Sequence, residues 1–453
     1  MIAEMSRFIE ATYSRMRPEA IVLLSFACAI AVGALLLWLP VSHNGSVGFS
    51  DALFSATSAV CVTGLIVVDT GRDFTVFGQC VLLALIQLGG LGVMTFAALA
   101  FDLLGKRLSL SGQEALTNEL VHAELAHSLQ FHFRRMLRLV LAVEACGALL
   151  LLAGMLRSEG VVYGLFSAIF HSVSAFCNAG FSLYSNSLVG FRGNCLVVPV
   201  VALLIVLGGI GHPVLFDLLR AARRSSRDRR PFWIRLEIHT RITLVATAVL
   251  LAGGTGLLLA GGMPGRKIDP GAAVFQAITA RTAGFNTVVT GHLPLTSLLT
   301  LMILMFIGGS PGSCAGGVKT TTFALWISLL WHRLRGRTRV VLQDRYIAEP
   351  LVARSSTIIS LAVLWNVIGI FALSITESHG LGIGLKDIMF EQFSAFGTVG
   401  LSTGLTGRLS QPGRLWIVMT MFIGRTAPLS SVLLLLHKKP ADIRYPEGKV
   451  MIG

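Results

Sequence analysis

Four glycines recur at near-equal spacing along the chain: Gly64, Gly180, Gly284 and Gly400, separated by 116, 104 and 116 residues. Each closes a short, semi-polar stretch: Val62-Thr63-Gly64, Asn178-Ala179-Gly180, Thr282-Ala283-Gly284 and Thr398-Val399-Gly400. These side chains include threonine hydroxyls but no ionisable group and no metal-ligand cluster. The chemistry they leave is that of the peptide carbonyl. Glycine permits a backbone conformation that aims carbonyls at a common axis. Four such turns make a ring of oxygens able to replace a cation's water shell. Asp51, Asp269-Pro270 and Asp387 stand at the starts of these stretches and are helix N-terminus signals. A helix of about two turns is expected to end just before each glycine, its negative dipole end favouring a cation.

The elements that must position these turns are also repeated. Ten residues before the glycines stand Phe54, Phe170, Val274 and Phe390; six before, Ser58, Ser174, Ile278 and Ser394; five before, Ala59, Ala175, Thr279 and Ala395. A second motif follows each turn: IQLGG at 86–90, IVLGG at 205–209, MFIGG at 305–309 and MFIGR at 421–425. Two motifs in register, in four copies, predict a unit of helix, short segment, glycine turn and helix, arranged with pseudo-fourfold symmetry.

Composition places this unit in a bilayer. The 453 residues are 54% hydrophobic and 13% charged, with a mean hydropathy of +0.74. A soluble globule carries about 25% charged residues, so that class is excluded. Apolar runs near 19–40, 78–101, 136–156, 195–219, 242–262, 293–331, 356–376 and 413–437 predict eight spans. The stretches before the glycines are too short and polar to span and suit re-entrant segments. The net charge of +14 is topogenic: 26 Lys and Arg fall on the side of the termini, against nine on the other, among them Arg72, Arg266, Lys267 and Arg281. Both termini are therefore expected in the cytoplasm. Because the charge is interleaved with spans, nucleic acid is not an expected partner. The seven cysteines show no paired spacing and read as small hydrophobes.

The segments SAVCVTGL, SAFCNAGF, TARTAGFN and FGTVGLSTGL resemble the four degenerate filter sequences of the Ktr/Trk/HKT superfamily of potassium transporters, in its shorter KtrB branch. The resemblance covers nearly the whole chain. It implies an all-α integral membrane fold of four M1–pore helix–filter–M2 repeats around one central pore. The repeats would occupy 19–102, 103–222, 223–333 and 334–437, the last three ranges each including a cytoplasmic link at its start, between cytoplasmic segments 1–18 and 438–453. Glycine in all four filters, Gly64 included, implies potassium selectivity; the sodium-selective plant members carry serine in the first. Potassium at the filter carbonyls is the transported ion, and no other metal and no covalent cofactor is expected. The family also implies a homodimer in the bacterial inner membrane, surrounded by lipid. A separate cytosolic ring of nucleotide-binding RCK subunits, KtrA- or TrkA-like, would regulate it. The Arg-rich loops 220–241 and 332–354 are candidate docking surfaces for that ring.

Two features are expected to form a gate. The third repeat is interrupted by Gly308, Gly309, Ser310, Pro311, Gly312, Ser313, Cys314, Ala315, Gly316 and Gly317. Six of these ten are Gly or Pro, which excludes a continuous helix. The break, within 308–319, resembles the family's intramembrane loop below the filter. Arg425 replaces the second glycine of the other three motif copies. A charge within a span faces a cavity or a partner; here it could repel cations and bond loop carbonyls. Lys319 reads as the cytoplasmic end of the loop. GSCAGGVKT at 312–320 is one residue too long for a phosphate loop and follows no strand. His122, His127 and His132 read as a solvated helix face, and His212 has no assigned role. The rival readings are an alternating-access cation symporter, which requires inverted repeats and midplane carboxylates, a sodium-coupled potassium transporter, and a membrane enzyme, for which no H-E-x-x-H or comparable cluster exists.

Overall fold

The structure, a computed structural model, describes residues 18–45, 47–92, 129–223, 230–262, 268–337, 339–343, 345–378 and 382–436. His122 and His127, the side chain of His132, both terminal segments and residues 263–267 with Arg266 and Lys267 lie outside them.

The described chain falls into four successive groups with one order: long helix, short helix, turn, helix. The first comprises α1 (Pro18–Trp38), α2 (Phe49–Val60) and α3 (Val76–Leu91). The second has α4 (Leu129–Glu159), α5 (Val161–Phe176), α6 (Val197–Ile210) and α7 (His212–Arg223). The third has α8 (Ile238–Gly261), α9 (Pro270–Thr279), α10 (Leu295–Phe306) and α11 (Thr320–Leu334). After a two-strand ribbon, β1 (Val341–Leu342) and β2 (Arg345–Tyr346), the fourth has α12 (Glu349–Thr376), α13 (Leu385–Gly397) and α14 (Gln411–Leu436).

Three of the described helices are long and apolar enough to cross a bilayer by themselves: Arg134–Leu156 within α4, α8 and α12. Helix α6 and α7 together also meet that test, but they are bent by 97°. The run 195–219, read from sequence as one span, is therefore broken. Gly211 takes φ +91° between the two helices, and Pro213 follows it. Glycine at a helix C-terminus with proline just beyond is a stop signal. The uniform hydropathy of the run hides that stop. The break at 308–317 is thus not unique to the third group.

The short helices are longer than two turns, at 12, 16, 10 and 13 residues. Their starts follow the acidic signals. Asp269 is an N-cap that accepts from Ala272 N–H at 3.1 Å. Asp51 and Asp387 reach back to the N–H groups of Gly48 and Gly384 at 3.2 and 3.3 Å. Asp51 also pairs with Arg414 of α14 at 2.6 Å, which joins the first group to the last.

Packing between the groups is cyclic. The helix that follows each turn packs on the short helix of the next group: α3 on α5, α6 on α9, α10 on α13, and α14 back on α2. Buried aromatic residues, among them Phe54, Phe170, Phe275 and Phe390, fill the interior, while Val162, Phe371 and Ile375 are strongly exposed on the outside. Apolar residues on the outer surface, with serine, threonine and backbone carbonyls gathered inside, are what a lipid solvent selects.

Candidate functional site: four converging turns and the loop beneath them

The buried phenylalanine of the third group corrects the alignment made from sequence. Phe275 is 2% exposed, whereas Val274, which spacing had aligned with Phe54, Phe170 and Phe390, is 45% exposed. Counting from the buried phenylalanine gives FSATSA, FHSVSA, FQAITA and FEQFSA. The third copy is one residue shorter between this segment and its glycine. Thr279, not Ile278, is therefore the counterpart of Ser58, Ser174 and Ser394. The hydrogen bonds agree. The residue before each glycine donates its N–H to the carbonyl of that Ser or Thr: Thr63 to Ser58, Ala179 to Ser174 and Val399 to Ser394 at 2.7–2.9 Å, and Ala283 to Thr279 at 2.9 Å. The hydroxyls add to this: Ser58 and Ser394 accept from Gly64 and Gly400 N–H at 3.0 and 3.2 Å, and Ser174 donates to the Phe181 carbonyl at 2.8 Å.

Each turn then has the same unusual backbone. Val62, Asn178, Thr282 and Thr398 take φ of +57°, +58°, +73° and +48°, and the glycines two residues later take +88°, +70°, +79° and +92°. The residues between keep negative φ. An ordinary extended strand points successive carbonyls to opposite sides; alternating the handedness turns the intervening peptide planes, so neighbouring carbonyls can share a side. Non-glycine residues at positive φ are strained by about 1–2 kcal/mol each, and four at equivalent places are a built feature.

The four turns meet in a ring. A Cβ added to Gly64 would lie 2.4 Å from the Ala179 carbonyl oxygen; to Gly180, 2.6 Å from that of Ala283; to Gly284, 2.3 Å from that of Val399; and to Gly400, 2.2 Å from that of Thr63. The order is first to second to third to fourth and back to first. Every glycine thus faces the carbonyl that precedes the next glycine, and no side chain fits anywhere around the circle.

The second motif supplies the close approach that holds the turns. The first glycine of three copies rests on the carbonyl four residues before its own group's turn glycine: Gly89 on Val60, Gly208 on Phe176 and Gly424 on Phe396, with an added Cβ only 1.8–2.1 Å away. The third group has lost that residue, and Gly308 rests on the Gly316 carbonyl of its own loop instead. Gly208→Ala is expected to lower the melting temperature of the detergent-solubilised protein by several degrees. Its methyl would meet backbone, which cannot rotate away, and overpacking of this kind costs about 1–3 kcal/mol. Gly253→Ala, on α8 with nothing within 4 Å of the added Cβ, is the comparison; equal melting of the two variants excludes the close-approach account.

The loop 308–319 lies against the first residues of two turns. An added Cβ on Gly316 would strike the Thr398 hydroxyl, and one on Gly308 would touch the Thr282 methyl at 3.4 Å. The break at Gly211 is what receives the loop. Ending α6 there frees its last carbonyls. Gly208 and Gly209 accept from Cys314 and Ser310 N–H at 3.2 and 3.0 Å, and Ile210 accepts from the Ser310 hydroxyl. His212, without a role in the sequence reading, donates its backbone N–H to Gly312 at 3.2 Å.

Two buried guanidiniums hold the loop. Arg425, 7% exposed, donates to the Cys314 carbonyl and to the Gly89 carbonyl, joining the loop to α3. Lys319 donates to the Ala315 carbonyl at 2.6 Å. Arg281, expected from sequence among the nine external charges, lies inside the protein. It is 7% exposed, directly precedes Thr282, and donates to the Gly308 carbonyl at 3.0 Å. Linear position between a short helix and a span put it outside, but a re-entrant helix carries its C-terminal end back into the protein.

A closed ring of backbone carbonyls among apolar helices defines a membrane protein that handles cations. The chain belongs to the TrkH family of cation transport proteins, whose sequence profile matches residues 10–444. It is 38% identical to the Ktr system potassium uptake protein B of Bacillus subtilis (strain 168), covering 97% of each chain. It is 40% identical to the protein of the same name from Vibrio alginolyticus, over 96% of this chain and 94% of the other. The crystal structure of the potassium transporter TrkH from Vibrio parahaemolyticus superposes with a TM-score of 0.70 at 20% identity, over 93% of this chain and 86% of that one, and shares the fold.

Proposed function

We propose that this chain is the membrane subunit of a potassium uptake system and that potassium passes through the ring of turns. Potassium would be held by the carbonyls of Val62, Thr63, Asn178, Ala179, Thr282, Ala283, Thr398, Val399 and the four glycines. The observation that carries the reading is the cyclic contact of Gly64, Gly180, Gly284 and Gly400 with the carbonyls of their neighbours. A ring that admits no side chain presents oxygen dipoles alone, and such a ring can exchange for a hydration shell at little cost. The short helices point their C-terminal ends at the same place, adding partial negative charge. The loop 308–317, with Arg425, is the gate.

The excess of positive residues on one side supports cytoplasmic termini in a bacterial inner membrane. The relatives' names refer to a Ktr system. A second, cytosolic component of that system, a ring of nucleotide-binding RCK subunits, is the regulator we infer, acting on a homodimer of this chain.

Uptake of rubidium into liposomes containing the purified chain, with potassium or sodium as competitor, is the test. Potassium is expected to compete at concentrations at least tenfold lower than sodium, about 1.4 kcal/mol of discrimination. Equal competition by the two ions would refute a potassium-selective ring.

A further inference from the structure

Ionisable side chains within a membrane protein are costly and kept for a purpose. Two of them sit behind the ring of turns. With the corrected alignment, the residue after each buried phenylalanine is Ser55, His171, Gln276 and Glu391. The second residue after each turn glycine is Ile66, Ser182, Asn286 and Ser402. In the second and fourth groups, and there only among the described residues, these two positions join directly.

The two junctions have the same construction. In the fourth group the Ser402 hydroxyl donates to Glu391 Oε2 at 3.0 Å and accepts from Gly404 N–H at 3.0 Å. In the second, the Ser182 hydroxyl lies 3.0 Å from His171 Nε2 and accepts from Tyr184 N–H at 3.1 Å. His171 Nδ1 lies 2.7 Å from the Ser167 carbonyl, which can only accept. Nδ1 therefore donates, and Nε2 is left to accept from Ser182. Each serine is thus clamped between a short-helix side chain and the N–H two residues further on. Glu391 also accepts from the Thr406 hydroxyl, and the His171 ring stacks on Tyr184 at 4.9 Å. Both ionisable residues are fully buried. The second and fourth groups stand across the ring from one another in the cyclic order.

We propose that His171 and Glu391 are positioning residues that fix the far end of two opposite filter segments and thereby set how strictly the ring discriminates between cations. The inference rests on the reading of the ring as a potassium filter. A carbonyl ring that resists closing on the smaller ion leaves sodium poorly coordinated and so favours potassium. A segment held at both ends, by the Ser-to-backbone bond below the glycine and by the strut above it, resists that closure better than one held at a single end. The first group has no strut, as Ile66 offers no hydrogen bond. In the third, the Asn286 side chain is engaged by Thr290 instead.

The test is competitive uptake of rubidium against potassium and sodium in liposomes, at matched amounts of folded protein. Ser182→Ala and Ser402→Ala each remove one hydroxyl while leaving the buried helix intact. Each is expected to lower potassium-over-sodium discrimination roughly three- to tenfold, the range of one hydrogen bond, with potassium flux largely kept. His171→Phe and Glu391→Ala are expected to act alike and to add little to their own serine variants, whereas variants from opposite groups should combine. Glu391→Gln, which keeps an acceptor, should restore most of the discrimination. A purely structural loss reduces both ions' flux in proportion and overturns the proposal, as does wild-type discrimination in the two serine variants. Gly64→Ser in the same assay separates the two levels of inference. If it alters discrimination and the serine variants do not, the struts are rejected and the filter stands; if none of them does, the filter itself is rejected.

Discussion

Arg425→Ala is expected to raise basal potassium flux through the reconstituted chain by at least tenfold. The guanidinium makes two charge-assisted hydrogen bonds, to Cys314 of the loop and to Gly89 of α3, each contributing about 1.5–3 kcal/mol. Loss of even one bond shifts a closed–open equilibrium by at least an order of magnitude. The same change removes a buried positive charge from the contact between the loop and α3. Deleting residues 310–314 should act in the same direction, because it removes the Ser310 and Cys314 bonds that seat the loop on the free carbonyls of α6. Arg425 acts on that seat through Cys314. The double variant should therefore exceed the larger single effect only slightly, as residues of one network fail additivity. Flux from the four proteins in liposomes at matched content is the measurement. Simple addition of the two effects, or unchanged flux in the deletion, would place the gate elsewhere.

Gly64→Ser is expected to reduce potassium-over-sodium discrimination by at least tenfold and potassium flux with it. Serine places a Cβ 2.4 Å from the Ala179 carbonyl oxygen and 3.0 Å from the Gly180 Cα, at a φ of +88°. The obstacle is backbone, which cannot turn aside as a flexible side chain could. The first turn must either back away from the axis or push the second turn out of place, and both widen the ring where size decides between ions. Relief of the left-handed strain, about 1–2 kcal/mol, acts in the same direction. Gly404→Ser, also at positive φ but with nothing within 4 Å of the added Cβ, carries the strain without the collision and should retain discrimination. Competitive uptake by the two variants is decisive: equal discrimination in Gly64→Ser and the wild type would remove this position from the selective path.

Much of this arrangement was legible because local chemistry repeats. The turn glycines recur in all four copies, and the Asp signals at the helix starts and the paired glycines of the second motif in three each; all are short-range requirements. Arg425 stood out because it broke the second motif. Three features were not legible. The missing residue in the third copy shifted Val274 and Ile278 into the wrong columns, since alignment on the glycine alone cannot see which phenylalanine is buried. The stop at Gly211 was masked by a long apolar run, although Gly211 and Pro213 together carried the signal. Arg281 was assigned by position along the chain, which cannot tell a re-entrant end from an external loop.

The division follows from the range of the forces involved. Hydropathy, capping and glycine's conformational freedom act over a few residues, so the sequence by itself determined most of the apolar helices, the four turns and the place of the loop. What closes the ring is contact between groups more than 100 residues apart in the chain: Gly64 on Ala179, Gly400 on Thr63, Arg414 on Asp51. The same holds for the seat of the loop on α6 and for the struts from His171 and Glu391 to the serines beyond the turns. These pairings depend on which helix faces which. Only the packed tertiary structure decides that, because a glycine or a hydrogen-bonding side chain marks a possible contact in the local sequence but not which distant group it meets.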